Sequence, residues 1–203
     1  PTLMKKEGIT DYKEFCIDVI KSIKEKPISF EVFSDDFIEI EEQATEISSW
    51  GSNVYVKIPV TNTKRENCFK TVKNLSSKGV KLNITAIMTN NQVAETIDNL
   101  NPEVSSYISI FAGRIADTLR DPIPIMKEAL KIMSKNKKSE LIWASPREPL
   151  NIYQADQIGC HIITVTPGIL KKLDLAYYDL NEFSLDTVKM FYQDAKKAGY
   201  KLD

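Results

Sequence analysis

Histidine is nearly absent from this chain: His161 is the single one in 203 residues. That excludes a histidine-rich metal site, and it excludes a serine–histidine triad anywhere away from His161. Cysteine is scarce too. Cys16, Cys68 and Cys160 are odd in number, far apart and free of CxxC spacing, so they read as reduced, buried thiols of a cytoplasmic protein. Only 7 glycines are present, and none builds the glycine-rich turn that follows an early strand in dinucleotide-binding sheets. An excess of either charge is missing as well, since 27 Lys+Arg against 28 Asp+Glu leave a formal net charge of −1. No basic field suits nucleic acid and no acidic block marks a disordered tail. No apolar run is long enough to span a membrane, and no signal peptide is seen. Neither nucleic acid nor membrane is an expected partner.

What is present is ordinary in amount and ordered in pattern. Hydrophobic content of 42% and charged content of 27% suit one globular domain, taken as residues 1–203. The periodicity predicts a helix from Thr10 to Lys24, a strand at 28–33 and a helix from a Ser34 cap to about Trp50. Then come a strand at 53–61, helix 65–78, strand 81–88, helix 91–100, strand 107–111 and helix 123–135. Strand 140–145, helix 150–157, strand 161–165 and helix 167–173 follow. A last amphipathic helix, 184–198, is capped by Ser184 and closed by Gly199. Six strands separated by helices mean parallel βα units. A doubly wound open sheet and a (β/α)8 barrel both have this alternation, and the missing glycine-rich turn disfavours the first. A barrel needs two strands more, so a piece preceding Pro1 is expected in place of a closed six-stranded ring.

The stretch Asn53-Val54-Tyr55-Val56-Lys57-Ile58-Pro59-Val60-Thr61 organises the rest. Val54, Val56, Ile58 and Val60 fall on one strand face, and Tyr55, Lys57 and Pro59 on the other. If the second face lines a barrel, Lys57 is an amine in a confined space, where desolvation disfavours the ammonium form and frees the lone pair for attack on a carbonyl. The neighbouring strands repeat the pattern. Their inward faces carry Ser29, Glu31 and Phe33; Asn83 and Thr85; Tyr107, Ser109 and Phe111; and Leu141, Trp143 and Ser145. Arg114 and Arg147 stand just past two of the strand ends. So many polar groups have no use in a core, and active sites of barrels are built at these carboxyl ends. A lysine that forms a Schiff base makes the imine an electron sink for carbon–carbon cleavage. Glu31 and Thr85 can hold a water that shuttles protons. The guanidinium groups and the Ser145 hydroxyl suit phosphate. An aldol reaction on a phosphorylated keto sugar follows, with no cofactor and no metal. Singly, each arginine is as well explained by a surface pair, Arg114 with Asp117 or Arg147 with Glu148. His161, at the start of its strand, reads as structural.

These residues resemble the transaldolase family, in its short-chain branch that also contains fructose-6-phosphate aldolase. The matching pieces are Pro1-Thr2-Leu3 (the family's Thr-Asn-Pro-Ser/Thr-Leu, entered midway), Val56-Lys57-Ile58-Pro59, Leu82-Asn83-Ile84-Thr85, Ser109 to Gly113-Arg114-Ile115, and Ala144-Ser145-Pro146-Arg147. The resemblance implies an α/β (β/α)8 TIM barrel of class I aldolase type, with an extra C-terminal helix. It implies that Lys57 is the Schiff-base lysine and that Glu31 and Thr85 handle the catalytic water. Asn83 and Ser109 would hold the dihydroxyacetone unit, Phe111 would line it, and Arg114, Ser145 and Arg147 would bind phosphate. The aldolase carries glutamine and tyrosine where this chain has Glu31 and Phe111, which favours transaldolase of the pentose phosphate pathway over the lyase. Sugar phosphates would be the substrates and the cytoplasm the compartment. The last helix would join subunits of a homo-oligomer. The family's first strand, which bears a general acid/base aspartate, and most of its second are expected ahead of Pro1. Without them the chain would be an open barrel of little activity, an inactive remnant or a scaffold.

Overall fold

The computed structural model describes residues 8–23 and 25–200; the Pro1-Thr2-Leu3 motif and Lys24 lie outside them. Helix α1 (Tyr12–Ile23) leads into β1 (Ile28–Glu31), α2 (Phe37–Ser48), β2 (Val54–Pro59), α3 (Phe69–Ser77), β3 (Leu82–Ile87) and α4 (Asn90–Asn99). Then come β4 (Ser106–Ile110), the short α5 (Ala112–Ala116), α6 (Ile123–Met133), β5 (Ser139–Trp143), α7 (Leu150–Gln157) and β6 (Ile162–Ile163). Two compact units result, one running to Val165 and one from Thr166. The second holds α8 (Pro167–Lys171), a 3₁₀ turn (Lys172–Leu175) and α9 (Leu180–Ala198). The described residues thus supply six of the eight strands of the expected ring. No helix among them is long and apolar enough to cross a membrane.

All six strands are parallel and lie in sequence order, β1 to β6. Right-handed βα crossovers place the helices on one side of such a sheet and leave the other side concave when it curls. The outer layer is the core. Val54, Val56, Ile58 and Val60 all pack in it with Ile40, Ala44 and Ile47 of α2 and with Val72 and Leu75 of α3. Each fully buried branched side chain there contributes about 1.5–3 kcal/mol. A smaller cluster of Tyr55, Tyr107, Ile142 and Ala144 lies apart from it, on the concave face.

Caps and bulges differ from expectation in places with a visible cause. Asp36, not Ser34, caps α2, accepting from Ile38 N at 2.8 Å and Glu39 N at 3.2 Å. The Ser34 hydroxyl is turned to Glu39 instead. Helix α9 begins four residues before the expected Ser184, because Asp179 accepts from Asn181 N at 2.8 Å and Glu182 N at 3.1 Å. Gly199 closes it in the left-handed region, as expected. In β3, Ala86 sits at φ 61° and the register to β4 shifts between Ile84 and Ile87. That bulge resets the alternation, so Ile87 joins the outer core although Thr85, two residues earlier, faces in. The chain from β4 then turns into α5, which strand periodicity did not reveal.

Candidate active site

The concave face encloses a cavity of about 660 Å³ whose lining includes Ser29, Lys57, Asn83, Thr85, Ser109, Phe111 and Ser145. A larger groove of about 800 Å³ lies outside the sheet, between α2 and α3. Its lining contains Lys70, Lys78 and several glutamates, but none of the inward-facing groups, so the chemistry belongs to the smaller cavity. The floor is closed by Tyr55 and Tyr107, stacked with ring centroids 4.1 Å apart. Burial pushes the Tyr107 hydroxyl well above the usual phenol range, so it stays protonated.

Lys57 rises from β2 opposite Glu31, its register partner on β1. Its Nζ is 3.7 Å from Glu31 Oε2, and the two side chains are 28% and 32% exposed. The amine is therefore less enclosed than expected, and it faces a carboxylate that can exchange a proton with it. A chain of hydrogen bonds crosses the sheet at this level through Asn83, the register partner of Lys57 on β3. Ser109 Oγ donates to Asn83 Oδ1 at 2.7 Å, and Asn83 Nδ2 donates to Ser29 Oγ at 2.9 Å. These bonds fix the amide of Asn83 with one face toward the cavity. Ser29 is a member that the sequence had placed inward without a role.

Thr85 completes the group. It is 2% exposed, and among the described residues its Oγ1 finds no hydrogen-bond partner. A buried hydroxyl costs about 1–3 kcal/mol when unpaired, and this one points into the cavity, where a water or a substrate oxygen can take it. Thr85 sits directly after Ile84, where the register between β3 and β4 begins to shift.

The rim is built by a close contact between two loops. Gly113 N–H donates to Ala144 O at 3.3 Å, and Ser145 turns at φ 56°. A Cβ on Gly113 would fall 1.5 Å from Ser145 O, so only glycine allows the backbone this close. Gly113→Ala is expected to destabilise the protein by at least about 3 kcal/mol, measured by denaturant unfolding; an unchanged midpoint would show that the loops part freely. The turn also corrects the predicted face of β5. Ile142 and Ala144 line the cavity, whereas Leu141 and Trp143 pack in the outer core, Trp143 only 1% exposed. Ser145 reaches the cavity through its left-handed bend. Phe33, also expected inside, is 57% exposed and packs edge-on against Tyr12.

The two arginines stand outside the lining. Arg114, on α5, places its guanidinium 5.6 Å from the centroid of Phe111, which does line the cavity. Arg147 grips Asp117: its Nε donates to Asp117 Oδ1 at 3.1 Å, and Nη2 pairs with Oδ2. Neither expected surface pair forms in the described structure, for Asp117 takes Arg147 and not Arg114. His161 is structural as read, accepting from Leu141 N at 3.0 Å through Nδ1.

The cavity thus brings Lys57, Asn83 and Thr85 together on neighbouring parallel strands, with Glu31 facing the lysine. The family model for Transaldolase/Fructose-6-phosphate aldolase matches residues 1–203. The chain belongs to the transaldolase/fructose-6-phosphate aldolase family. A "Probable transaldolase" of Thermoanaerobacter sp. (strain X514) is 32% identical over 203 residues, covering 100% of this chain and 87% of the relative. One from Clostridioides difficile (strain 630) is 32% identical over 206 residues, with the same coverage of each chain. One from Nitrosopumilus maritimus (strain SCM1) is 32% identical over 176 residues, covering 85% of this chain and 74% of the relative.

Proposed function

We propose that the protein is a transaldolase that moves a three-carbon ketol unit between sugar phosphates through a Schiff base on Lys57. The observation that carries the reading is the Lys57 amine on the concave face, 3.7 Å from Glu31 and beside an unpartnered, buried Thr85 hydroxyl. In this reading the amine attacks the ketose C2 carbonyl and the carbinolamine loses water. Glu31 and Thr85 hold that water and pass its proton. The protonated imine accepts the electron pair of the C3–C4 bond as it breaks, the C4 hydroxyl gives its proton to the water held by Glu31 and Thr85, and the shortened aldose leaves. The three-carbon enamine stays on Lys57 until an aldehyde takes it up, and the reverse sequence releases a new ketose. Asn83 and Ser109 hold the hydroxyls of the three-carbon unit. Ser145, Arg114 and Arg147 meet the phosphate.

The names of the relatives, each a "Probable transaldolase", support the transferase side. Phe111 and Glu31 support it from within the chain. The reaction would run in the cytoplasm as part of the pentose phosphate pathway. Assembly into a homo-oligomer through α9, whose Leu185, Val188, Phe191 and Tyr192 are all exposed, belongs to the same proposal.

Thr85→Val tests the site. Valine keeps the shape and removes a hydroxyl that no described residue uses, so unfolding should be unchanged or slightly harder. Transfer from fructose 6-phosphate to an aldose phosphate should slow by about 10- to 100-fold, the loss of a positioned proton carrier. Full activity in a folded Thr85→Val protein would remove Thr85 and its water from the mechanism.

A further inference from the structure

Asn83 lines the cavity, and a planar amide there can present either its oxygen or its nitrogen to a ligand. Two hydroxyls decide which. Ser109 Oγ donates to Oδ1 at 2.7 Å from β4, and Ser29 Oγ takes one Nδ2 proton at 2.9 Å from β1. The two partners are placed differently. Strand β4 lies next to β3, whereas β1 lies beyond β2. Ser29 is the register partner of Tyr55, and Asn83 is that of Lys57. The Ser29–Asn83 bond therefore passes over β2 between the floor tyrosine and the lysine. Side chains of alternate strands meet in this way inside a barrel. An amide pinned at both ends cannot turn about its last torsion, which is otherwise broad. Held by Ser109 alone, whose hydroxyl can give or receive, the amide can turn over and exchange donor for acceptor at the same place.

We infer that Ser29 is a positioning residue for the reaction: reaching across β2, its hydroxyl holds the amide of Asn83 in the orientation that leaves the second Nδ2 proton for the three-carbon unit on Lys57. The inference rests on the role given to Asn83 under the proposed function. Ser29 acts through Asn83 and is not a catalytic residue. Every transfer passes through the same Lys57-bound unit, so ketose donor and aldose acceptor feel the loss of Ser29 alike. The phosphate groups, met by Arg114, Ser145 and Arg147, do not.

Ser29→Thr and Ser29→Val give side chains of one shape that differ in the hydroxyl. Ser29 is half-buried on the cavity wall, so the added carbon has room. The threonine variant should keep kcat/KM for the transfer within about 3-fold, and the valine variant should lose roughly 10-fold more, the scale of one hydrogen bond. Inhibition by inorganic phosphate should be the same in both, and borohydride should still trap substrate on Lys57 in both. The decisive arm is a double-mutant cycle: in an Asn83→Ala background, the threonine and valine variants should be equally active. If they are equally active with Asn83 present, or if their difference persists in Asn83→Ala, the positioning role is overturned while the Lys57 mechanism stands. If the unsubstituted protein forms no Lys57 adduct, the mechanism itself fails, and the role of Ser29 falls with it.

Discussion

Borohydride added to the protein together with fructose 6-phosphate is expected to fix a three-carbon substituent on Lys57. Hydride reduces the imine carbon, the C=N bond becomes a secondary amine, and hydrolysis can no longer release the adduct. Among the described lysines, Lys57 alone carries the observed combination: a place on the concave face, a cavity lined by its side chain and a carboxylate 3.7 Å away. Lys138, by contrast, pairs with Glu103 at the surface, and Lys81 lies over the Tyr55 ring. Lys57→Ala should abolish trapping and lower transfer by about 10⁴-fold or more, the scale on which removal of a covalent catalyst acts. Peptide mapping by mass reads the result directly. An adduct on another lysine, or none in a folded protein that consumes substrate, would sink the Schiff-base mechanism.

The second large effect concerns the fate of the enamine. Phe111 presents a bare ring to the cavity, with the Arg114 guanidinium 5.6 Å from its centroid on the other side. No hydroxyl stands there to orient a water that would protonate the bound three-carbon carbanion. The enamine should therefore wait for an aldehyde, and free dihydroxyacetone should form slowly without one. Phe111→Tyr supplies a phenol that can hold water and relay its proton, and release relative to transfer should rise by roughly 10- to 100-fold. Dihydroxyacetone assayed from fructose 6-phosphate, with and without glyceraldehyde 3-phosphate, decides it. If the unsubstituted protein releases dihydroxyacetone as fast as it transfers the unit, it is a lyase.

The residues of β2 made most of this legible. A strand with one wholly branched face and one lysine on the other has a single sensible orientation, and Val56 and Ile58 are fully buried on the helical side as that pattern requires. Asn83, Thr85, Ser109 and Phe111 followed from the same rule, and all four line the cavity. The rule failed where a strand bends. Leu141-Ile142-Trp143-Ala144 is apolar on both faces, so no alternation marks which side is in, and the left-handed Ser145 places its own side chain on the cavity side all the same. Ala86 reset β3 in a way that no residue type announces. Tyr12 lies within the helix expected from Thr10 to Lys24, and a hydroxyl that bonds a residue 19 positions away leaves no local trace. Asp117 was expected near Arg114, but which arginine it meets depends on how two loops pack.

The Ser29–Asn83–Ser109 chain has a consequence for observing the protein at work. It ties β1 to β3 and β4 across the intervening strand, with Asn83 only 4% exposed at its centre. The two protons of that side-chain amide sit in different surroundings, one donated to Ser29 and one turned toward the cavity. In a ¹⁵N spectrum they give a resolved pair whose splitting follows the occupant of the site. Under the proposed mechanism, a resonance pair from a single asparagine would distinguish the free, ketose-loaded and enamine-bearing forms in real time, without a label on the sugar.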